Sequence, residues 1–382
     1  MKPEHVPSII EALIRPNIRR LPLYDPGADA QQVALRPGVH AVAKLSNCEN
    51  PLGISPAAAQ VIAGHGGQGL ERYPDPTGQA LRQLLGERLD VDPSRLVLGN
   101  GSENILELLC LALLDPADRV VTQQPCFSLH ESLPLMMGAQ VDKVPLNDDF
   151  SFNLDAWAKA LALPAKMLML STPSNPVGTS LSTAQLSALV AAARPDTLLV
   201  IDEAYFEFTE DSADALAILA AQSRPWIVLR TFSKAYGLAG LRVGYGIASD
   251  ARLIEALHRV RTPYNVNQLA QDAARAALLD CAHVARSRAF VITERQRLSQ
   301  ALRAAGFRVA PSQANFLFVD TGCNALQVVE ELLKDGIIVK AWREPGYTRF
   351  IRVSIGLEPQ NECFLASLQR AVAVFSPAQR SS

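Results

Sequence analysis

Short apolar runs alternate with amphipathic segments along the middle of this 382-residue chain. The apolar runs predict strands at residues 96–99, 119–123, 140–144, 167–171, 198–202, 226–230 and 243–248, and helices are predicted to begin at Ser102, Ser182 and Ala251. Strands that alternate with helices are typical of a mostly parallel sheet wrapped by helices. The predicted fold class is therefore α/β.

The remaining segments predict an arm and a second, smaller unit. Residues 1–39 mix Pro, Arg and Leu and indicate an arm with one short helix near 8–13. A helical stretch at 268–305, interrupted near Asp280 and Cys281, leads to strand patterns at 314–320 and 350–355 and helix patterns at 325–334 and 362–374. We predict a large α/β domain over 60–270 followed by a smaller α+β domain.

Three predicted strands end in side chains that can carry chemistry: Asn175, Asp202 and Lys234. Open α/β sheets bind ligands at the carboxyl ends of their strands, so these side chains are expected to meet there. A lysine in a half-buried turn suits Schiff-base chemistry, because desolvation favours its neutral, nucleophilic amine. Taken singly, each residue also fits an ordinary role as a loop amide, a helix cap or a solvated cation.

Composition and charge narrow the possible partners. Lys and Arg number 36 against 38 Asp and Glu, which gives no indication of a nucleic-acid surface. No apolar run approaches the ~20 residues needed to span a bilayer, and no secretory signal is apparent. The six cysteines form no CxxC pair and the six histidines no metal-like pair. We predict a cytoplasmic protein with reduced thiols, without a metal site and without nucleic-acid or membrane partners.

From about residue 24 to residue 368, the order and spacing of these segments resemble the fold-type I, pyridoxal-phosphate-dependent aminotransferases. Within that group, the chain resembles the histidinol-phosphate aminotransferase family. The motifs that carry this resemblance are LSNCENPLG at 45–53, RYPDP at 72–76, LGNGSENIL at 98–106, PYNVN at 263–267 and FIRVSIG at 350–356. The resemblance implies a cofactor-binding domain over 60–270 and a discontinuous small domain made of 40–59 and 271–382.

The cofactor implied by the resemblance is pyridoxal 5′-phosphate, held covalently by Lys234. Asp202 would pair with its pyridine nitrogen, Asn175 and Tyr205 would bond its phenolic oxygen, and Phe127 would stack on its ring. Its phosphate would be held by Gly101, Ser102 and Glu103 at a helix N-terminus, by Ser233 and Arg242, and by Tyr73 of the other subunit. The last assignment implies a homodimer with shared active sites.

The resemblance also implies a substrate site. Arg352 is expected to clamp a carboxylate as a bidentate fork, Tyr24 of the arm to cover the substrate, and Lys340 to meet the substrate phosphate. Two positions depart from the family pattern: Cys48 stands where an asparagine is usual, and Lys340 where an arginine is usual. Arg343 or Arg349 would be placed to compensate for Lys340.

The function implied is amino transfer between histidinol phosphate and 2-oxoglutarate, giving imidazole acetol phosphate and glutamate, as in histidine biosynthesis. One alternative is an aminotransferase for aromatic or other amino acids, and a second is a decarboxylase of a phosphorylated amino acid. A third is a non-catalytic domain of a regulator, against which the intact Lys234 and the lack of a basic stretch argue.

Overall fold

The computed structural model describes residues 9–375. Its helices are α1 Ile9–Leu13, α2 Pro16–Arg19, α3 Ala30–Ala34, α4 Pro56–His65, α5 Gln79–Leu89, α6 Ser102–Leu113, α7 Ser128–Met137, α8 Leu154–Leu161, α9 Thr183–Ala192, α10 Ala215–Ala220, α11 Ala251–Val260, α12 Gln268–Leu279, α13 Cys281–Ala304, α14 Ala325–Lys334 and α15 Glu358–Ala373. Its strands are β1 Ala43–Lys44, β2 Leu96–Gly99, β3 Arg119–Gln124, β4 Gln140–Pro145, β5 Met167–Ser171, β6 Leu198–Asp202, β7 Trp226–Thr231, β8 Gly244–Ala248, β9 Arg308–Val309, β10 Phe316–Asp320, β11 Ile337–Ile338, β12 Lys340–Ala341 and β13 Phe350–Ser354.

A seven-stranded sheet forms the centre of the molecule. Its strand order is β2-β8-β7-β6-β5-β3-β4. The neighbours from β7 to β4 run parallel, while β8 is antiparallel to both β2 and β7. The predicted α/β class with a mostly parallel sheet is therefore confirmed.

Burial of the sheet on both faces explains why its strands appear as continuous apolar runs. Every residue of β5, β6 and β7 is buried. Along β6, Leu199 and Ile201 belong to one hydrophobic cluster, whereas Leu198 and Val200 belong to another. Successive side chains of a strand point to opposite faces, so each face needs its own apolar partner layer.

A four-stranded antiparallel sheet, in the order β12-β13-β10-β9, forms a second unit. Strand β1 pairs in parallel with β11, which connects the segment near residue 43 to this C-terminal part of the chain. Ala43 and Leu45 pack in the same hydrophobic cluster as Leu317, Ile351 and Phe364. These contacts agree with a discontinuous small domain, while the domain boundaries given above stay a prediction.

Several helices were predicted close to their observed bounds. Helices α6 and α11 begin at the expected residues, and α9 begins at Thr183 because Ser182 is its N-cap, in a capping box with Gln185. Helix α15 begins four residues before the predicted 362. The helix predicted near 8–13 is observed as Ile9–Leu13, and residue 8 lies outside the described residues.

The apolar runs did not predict helices α2, α3, α4, α5, α7, α8 and α10 or the two-residue strands β1, β9, β11 and β12. The arm, which was expected to hold one short helix, therefore contains two more. A two-residue strand has no alternation to detect, and α7 carries an internal proline, Pro134, which normally ends a helix. None of the helices in residues 9–375 is long and apolar enough to cross a membrane.

Candidate active site

A cavity of about 370 Å³ opens at the carboxyl ends of β5, β6 and β7. It is lined by Tyr24, Asn47, Glu49, Gly101, Ser102, Glu103, Phe127, Ser171, Asn175, Asp202, Ala204, Tyr205, Thr231, Ser233, Lys234, Ala239, Gly240, Arg242 and Arg352. The structure thus brings together every predicted site residue except Tyr73 and Lys340. The meeting of strand ends at one edge of a parallel sheet is the physical reason.

Lys234 lies in the turn that follows β7, with its amine directed into this cavity. Its Nζ donates a hydrogen bond to the main-chain oxygen of Asn47, 2.9 Å away. Burial lowers the pKa of Lys234, and the nearby Arg352 and Arg242 act in the same direction, against the opposing effects of Cys48 and Glu49. The amine is therefore more readily neutral than a solvated lysine, which is the form that attacks carbonyl carbons.

Asp202, the last residue of β6, is almost wholly buried. One of its carboxylate oxygens, Oδ1, accepts a hydrogen bond from the main-chain N–H of Ala204. The other, Oδ2, lies 3.4 Å from Nε2 of His130, which is also buried. His130 was missed by the sequence analysis. No spacing in the sequence marks it, because its approach to Asp202 depends on how α7 packs against the sheet.

A hydrogen-bonded chain links the large sheet to the small one across the cavity. Asn175 donates from Nδ2 to the Tyr205 hydroxyl at 3.4 Å, and its Oδ1 accepts from Arg352 NH1 at 2.6 Å. Arg352 NH2 donates to the main-chain oxygen of Ser46 at 2.7 Å. Burial raises the pKa of Tyr205 well above its usual range, so that hydroxyl stays protonated and can donate.

An anion-binding cradle forms at the start of α6. Gly101 is the N-cap of this helix and has a φ of 78°, so no side chain caps the first-turn N–H groups. A Cβ at Gly101 would lie 2.4 Å from Arg242 NH2, so the close approach of that guanidinium requires glycine. Arg242 bonds Ser233 Oγ at 3.4 Å and Glu103 at 2.6 Å. Free N–H groups, a helix dipole and a guanidinium together favour a phosphate.

Two aromatic side chains, Phe127 and Tyr24, line the cavity. Phe127 is the residue before α7, and its ring meets the His130 ring edge to face at 5.7 Å. Tyr24 belongs to the arm and is largely exposed, although it lines the cavity. The structure therefore brings both predicted aromatic residues to the site.

Tyr73 and Lys340 do not line the cavity of this chain. Tyr73 is 80% exposed and stacks on Tyr264 with ring centroids 4.5 Å apart. Lys340 is engaged by Asp25 of the arm, with Nζ 3.2 Å from Oδ2. Of the two arginines suggested as compensation, Arg343 adjoins the same Asp25 carboxylate, whereas Arg349 pairs with Asp320 at 2.6 Å.

Cys48, one of the two departures from the family pattern, is buried beside the lysine. Its backbone has a φ of 55°, its N–H donates to Ser354 Oγ at 2.8 Å, and its carbonyl accepts from Asn315 at 2.9 Å. Its side chain shares a hydrophobic cluster with Tyr205 and Phe316. The neighbouring Asn47 and Glu49, which were not predicted as site residues, line the cavity on either side of it.

The residues present fit pyridoxal phosphate. The cavity size lies within the ~300–1,000 Å³ usual for small-molecule sites. A buried carboxylate, a protonated phenol, an uncapped helix N-terminus and a buried amine surround one space. Arg352 Nε is buried without a hydrogen-bond partner, so the site also leaves a donor for an anionic group of a substrate.

One further cluster of potential ligand atoms lies behind Phe127. Donor atoms of Cys126, Glu131 and Glu344 lie within 4.8 Å of one another. Lys143 Nζ is 2.9 Å from a carboxylate oxygen of both glutamates, and burial raises the pKa of the Cys126 thiol. The Lys143 ammonium already pairs with both carboxylates, so the cluster gives no support for a metal ion, and the absence of a metal site stays a prediction.

Comparison with known proteins connects this geometry to a family. The pattern of the family "Aminotransferase class I and II" matches residues 41–368. Histidinol-phosphate aminotransferase 3 of Rhizobium meliloti is 44% identical over 94% of this chain and 98% of its own length, and histidinol-phosphate aminotransferase of Moorella thermoacetica is 39% identical over 92% and 90%.

Solved structures agree with the sequence relatives. The crystal structure of histidinol-phosphate aminotransferase from Sinorhizobium meliloti in complex with pyridoxal-5′-phosphate superposes with a TM-score of 0.86 at 26% identity, covering 96% of this chain and 99% of that one. An aspartate aminotransferase of Thermus thermophilus, at 23% identity, shares the fold with a TM-score of 0.81 over 94% and 99%. The chain therefore belongs to the class I and II aminotransferases of fold type I and, among them, to the histidinol-phosphate aminotransferase family.

Proposed function

We propose that this enzyme transfers the amino group of histidinol phosphate to 2-oxoglutarate, with pyridoxal 5′-phosphate as its cofactor. The supporting observation is the match, over nearly their whole length, to relatives named histidinol-phosphate aminotransferases, combined with a cavity that joins a buried lysine to an anion cradle. The products would be imidazole acetol phosphate and glutamate, a step of histidine biosynthesis.

The cofactor, when bound, supplies a carbonyl carbon for the substrate amine and a ring that accepts the electrons released at the substrate Cα. Its phosphate would be held by the α6 N-terminus at Gly101, Ser102 and Glu103, by Ser233 and by Arg242. Phe127 would cover one face of the ring. Each of these residues lines the same cavity, which is the geometric support for the assignment.

Lys234 would hold the cofactor and then act as the general base and acid of the reaction. Its amine would take up the proton released at the substrate Cα and would later give up a proton as the general acid. Burial is the main cause of its lowered pKa, so the amine gives up its proton more readily than a solvated lysine does.

Asp202 and Tyr205 would set the electronic state of the cofactor ring. The Asp202 carboxylate would stabilise a protonated pyridine nitrogen, and His130, with its Nε2 3.4 Å from Asp202 Oδ2, would help to orient that carboxylate. Tyr205, with Asn175, would donate to the phenolic oxygen. These roles stay proposals that rest on the positions of the side chains in the cavity.

Arg352 would bind the anionic end of both substrates. In 2-oxoglutarate this group is a carboxylate, whereas histidinol phosphate carries a phosphate ester on the equivalent carbon. The phosphate extends further from Cα than a carboxylate does. Lys340, which pairs with Arg352 across β12 and β13, would meet this longer group.

We also propose a homodimer in which Tyr73 completes the partner's cofactor-phosphate site. The exposed Tyr73–Tyr264 stack supports this, because a large exposed aromatic pair is typical of an interaction surface. A cytoplasmic location is supported by the six cysteines, all of which are free.

A second candidate substrate class is unphosphorylated amino acids. Two observations favour it: Lys340 is neutralised by Asp25, and Cys48 replaces an amide beside Lys234. A decarboxylase shares the fold, since the L-threonine-O-3-phosphate decarboxylase of Porphyromonas gingivalis superposes with a TM-score of 0.74 at 22% identity over 87% of this chain and all of that one. That likeness concerns the fold alone.

Steady-state assays of the cofactor-loaded enzyme with 2-oxoglutarate and three donors test the proposal. Histidinol phosphate should be used with a kcat/KM at least about 100-fold above histidinol and phenylalanine, because hydrogen bonds to a charged group contribute about 1.5–3 kcal/mol each. Lys234→Ala should abolish turnover, while Lys159→Ala, on the exposed face of α8, should not. Preference for phenylalanine, or release of carbon dioxide from a phosphorylated amino acid, would reject the assignment.

A further inference from the structure

The carboxylate of Asp25, in the arm, pairs with two cations outside the active-site cavity, Lys340 and Arg343. Its Oδ2 lies 3.2 Å from Lys340 Nζ and 3.2 Å from Arg343 NH2. Lys340 also donates to the main-chain oxygen of Asp25, and the Gly27 N–H donates to Asp25 Oδ1 at 2.9 Å. The carboxylate is thus held between two cations by a short turn of the arm.

This contact lies at the edge of the active-site cavity. Lys340 on β12 pairs with Arg352 on the antiparallel strand β13. Directly opposite residues of antiparallel strands project to the same face of a sheet, so the two cations are neighbours. Tyr24, the residue before Asp25, lines the active-site cavity, whereas Lys340 does not. The arm therefore stands between Lys340 and the space where a substrate would bind.

The charges at this contact favour replacement of the Asp25 carboxylate by a phosphate group. The Lys340 side chain is 20% exposed, that of Asp25 39% and that of Arg343 65%, so these ion pairs are partly solvated. Partly solvated ion pairs of this kind contribute little to stability. A phosphate monoester carries close to two negative charges and three acceptor oxygens, and so outcompetes a single carboxylate for the same two cations.

A cavity beside Asp25 gives its carboxylate space to move when it leaves the two cations. A second cavity of about 490 Å³ lies between the arm and the small sheet, and its lining includes Asp25, Lys340 and Arg343. Arm residues Gln32 and Val33 of the short helix α3 form another part of its wall. Withdrawal of Asp25 therefore needs no disruption of the hydrophobic core.

We propose that Asp25 is a specificity-determining latch, whose carboxylate occupies Lys340 and Arg343 until the phosphate monoester of a substrate displaces it. This inference rests on the proposed function, because it assumes a phosphorylated donor. A donor without a phosphate leaves Asp25 paired with Lys340 and Arg343, and the charge of Lys340 then does not contribute to its binding. The arm therefore links recognition of the phosphate to the position of Tyr24 over the cavity.

The kinetic test compares Asp25→Asn with Asp29→Asn. In Asp25→Asn, the asparagine keeps the shape of the side chain and the oxygen that accepts from the Gly27 N–H, but removes the charge. Asp29, the N-cap of α3, provides a matched control on the same arm. Asp25→Asn should lower KM for histidinol phosphate about three- to tenfold with little change in kcat. KM for an unphosphorylated donor should be unchanged, and Asp29→Asn should behave as the parent enzyme.

A binding measurement separates this inference from the proposed function. Methyl phosphate is titrated into the cofactor-loaded enzyme, whose cofactor-phosphate site is already filled. Binding is followed by calorimetry and by tryptophan fluorescence, to which Trp342, between Lys340 and Arg343 in the chain, contributes. Asp25→Asn should tighten the binding about three- to tenfold, and Lys340→Gln should remove that gain. Both expectations stand whether or not histidinol phosphate is the physiological donor.

Unchanged or weaker methyl phosphate binding in Asp25→Asn would overturn the latch, since the carboxylate would then only anchor the arm. A gain that survives Lys340→Gln would overturn it as well. If instead the parent enzyme fails to use histidinol phosphate while the binding gain is observed, the proposed function fails and the latch stands.

Discussion

His130 Nε2 and Asp202 Oδ2 lie 3.4 Å apart, and both side chains are almost completely removed from solvent. The imidazole packs against the carboxylate oxygen and limits the orientations that the Asp202 side chain can adopt at the edge of the cavity. The pairing connects the first turn of α7 to the end of β6. It makes His130 a positioning residue for the carboxylate that is proposed to contact the cofactor ring.

His130→Phe should therefore weaken the reaction without unfolding the protein. A buried carboxylate that loses its polar neighbour is less well compensated, at a cost of about 1–3 kcal/mol, which corresponds to a decrease of roughly 5- to 100-fold in kcat/KM. The absorption band of the bound cofactor should also shift its pH midpoint, a change that a purely packing role would not produce. His40→Phe, at an exposed site, is the control. Unaltered absorption in His130→Phe would contradict the positioning role.

Arg352 and Arg349 lie three residues apart, and Arg349 pairs with the nearby Asp320. Only Arg352 lines the cavity and has a buried, unpartnered Nε. Arg352→Gln should raise KM for 2-oxoglutarate about 10- to 100-fold, because a charge-assisted bidentate contact is lost. Arg349→Gln should leave this KM within a factor of about three. Equal effects of the two substitutions in the same assay would refute the assignment of the carboxylate clamp to Arg352.

Tyr73 offers a test of active sites shared between subunits. Tyr73→Phe and Lys234→Ala should each be impaired alone. After the two variants are unfolded and refolded together, heterodimers contain one site in which both residues are intact. Activity should then rise to about a quarter of the parent value, since random mixing makes half the dimers heterodimers with one complete site each. If mixing restores nothing, Tyr73 serves the subunit that carries it.

We expect His258 to make the free energy of unfolding depend on pH. Its pKa is lowered to about 4, first by burial and then by the positive charges of Arg261 and Arg82. Between the unfolded value of ~6.5 and this folded value, the unfolded chain binds the proton and the folded protein does not, so stability is lost as pH falls through that window. Above pH 6.5 this group contributes no pH dependence.

His258→Gln should flatten the acid side of the stability curve. The side chain is only half-buried, so after allowance for solvent screening the pH-dependent difference is about 1–2 kcal/mol between pH 7 and pH 4. Urea unfolding at these two values measures it, with His40→Gln as the exposed comparison. An identical loss of stability in the parent and in His258→Gln would show that other groups cause the acid sensitivity.

The sequence by itself determined the strands of the large sheet and the residues at their ends. Strands β5, β6 and β7 are buried on both faces, so they must be apolar throughout and are detectable as runs. Because parallel strands share one carboxyl edge, Asn175, Asp202 and Lys234 had to meet, and the structure places all three in one cavity.

Contacts between segments far apart in the chain were decided only by the tertiary structure. The approach of His130 to Asp202 depends on how α7 packs against the sheet, and the capture of Lys340 by Asp25 depends on where the arm crosses β12. Neither follows from periodicity or propensity, which describe neighbours along the chain. Side chains brought together by packing of distant segments leave no spacing in the sequence, so only the folded protein shows which cation is free to meet a substrate.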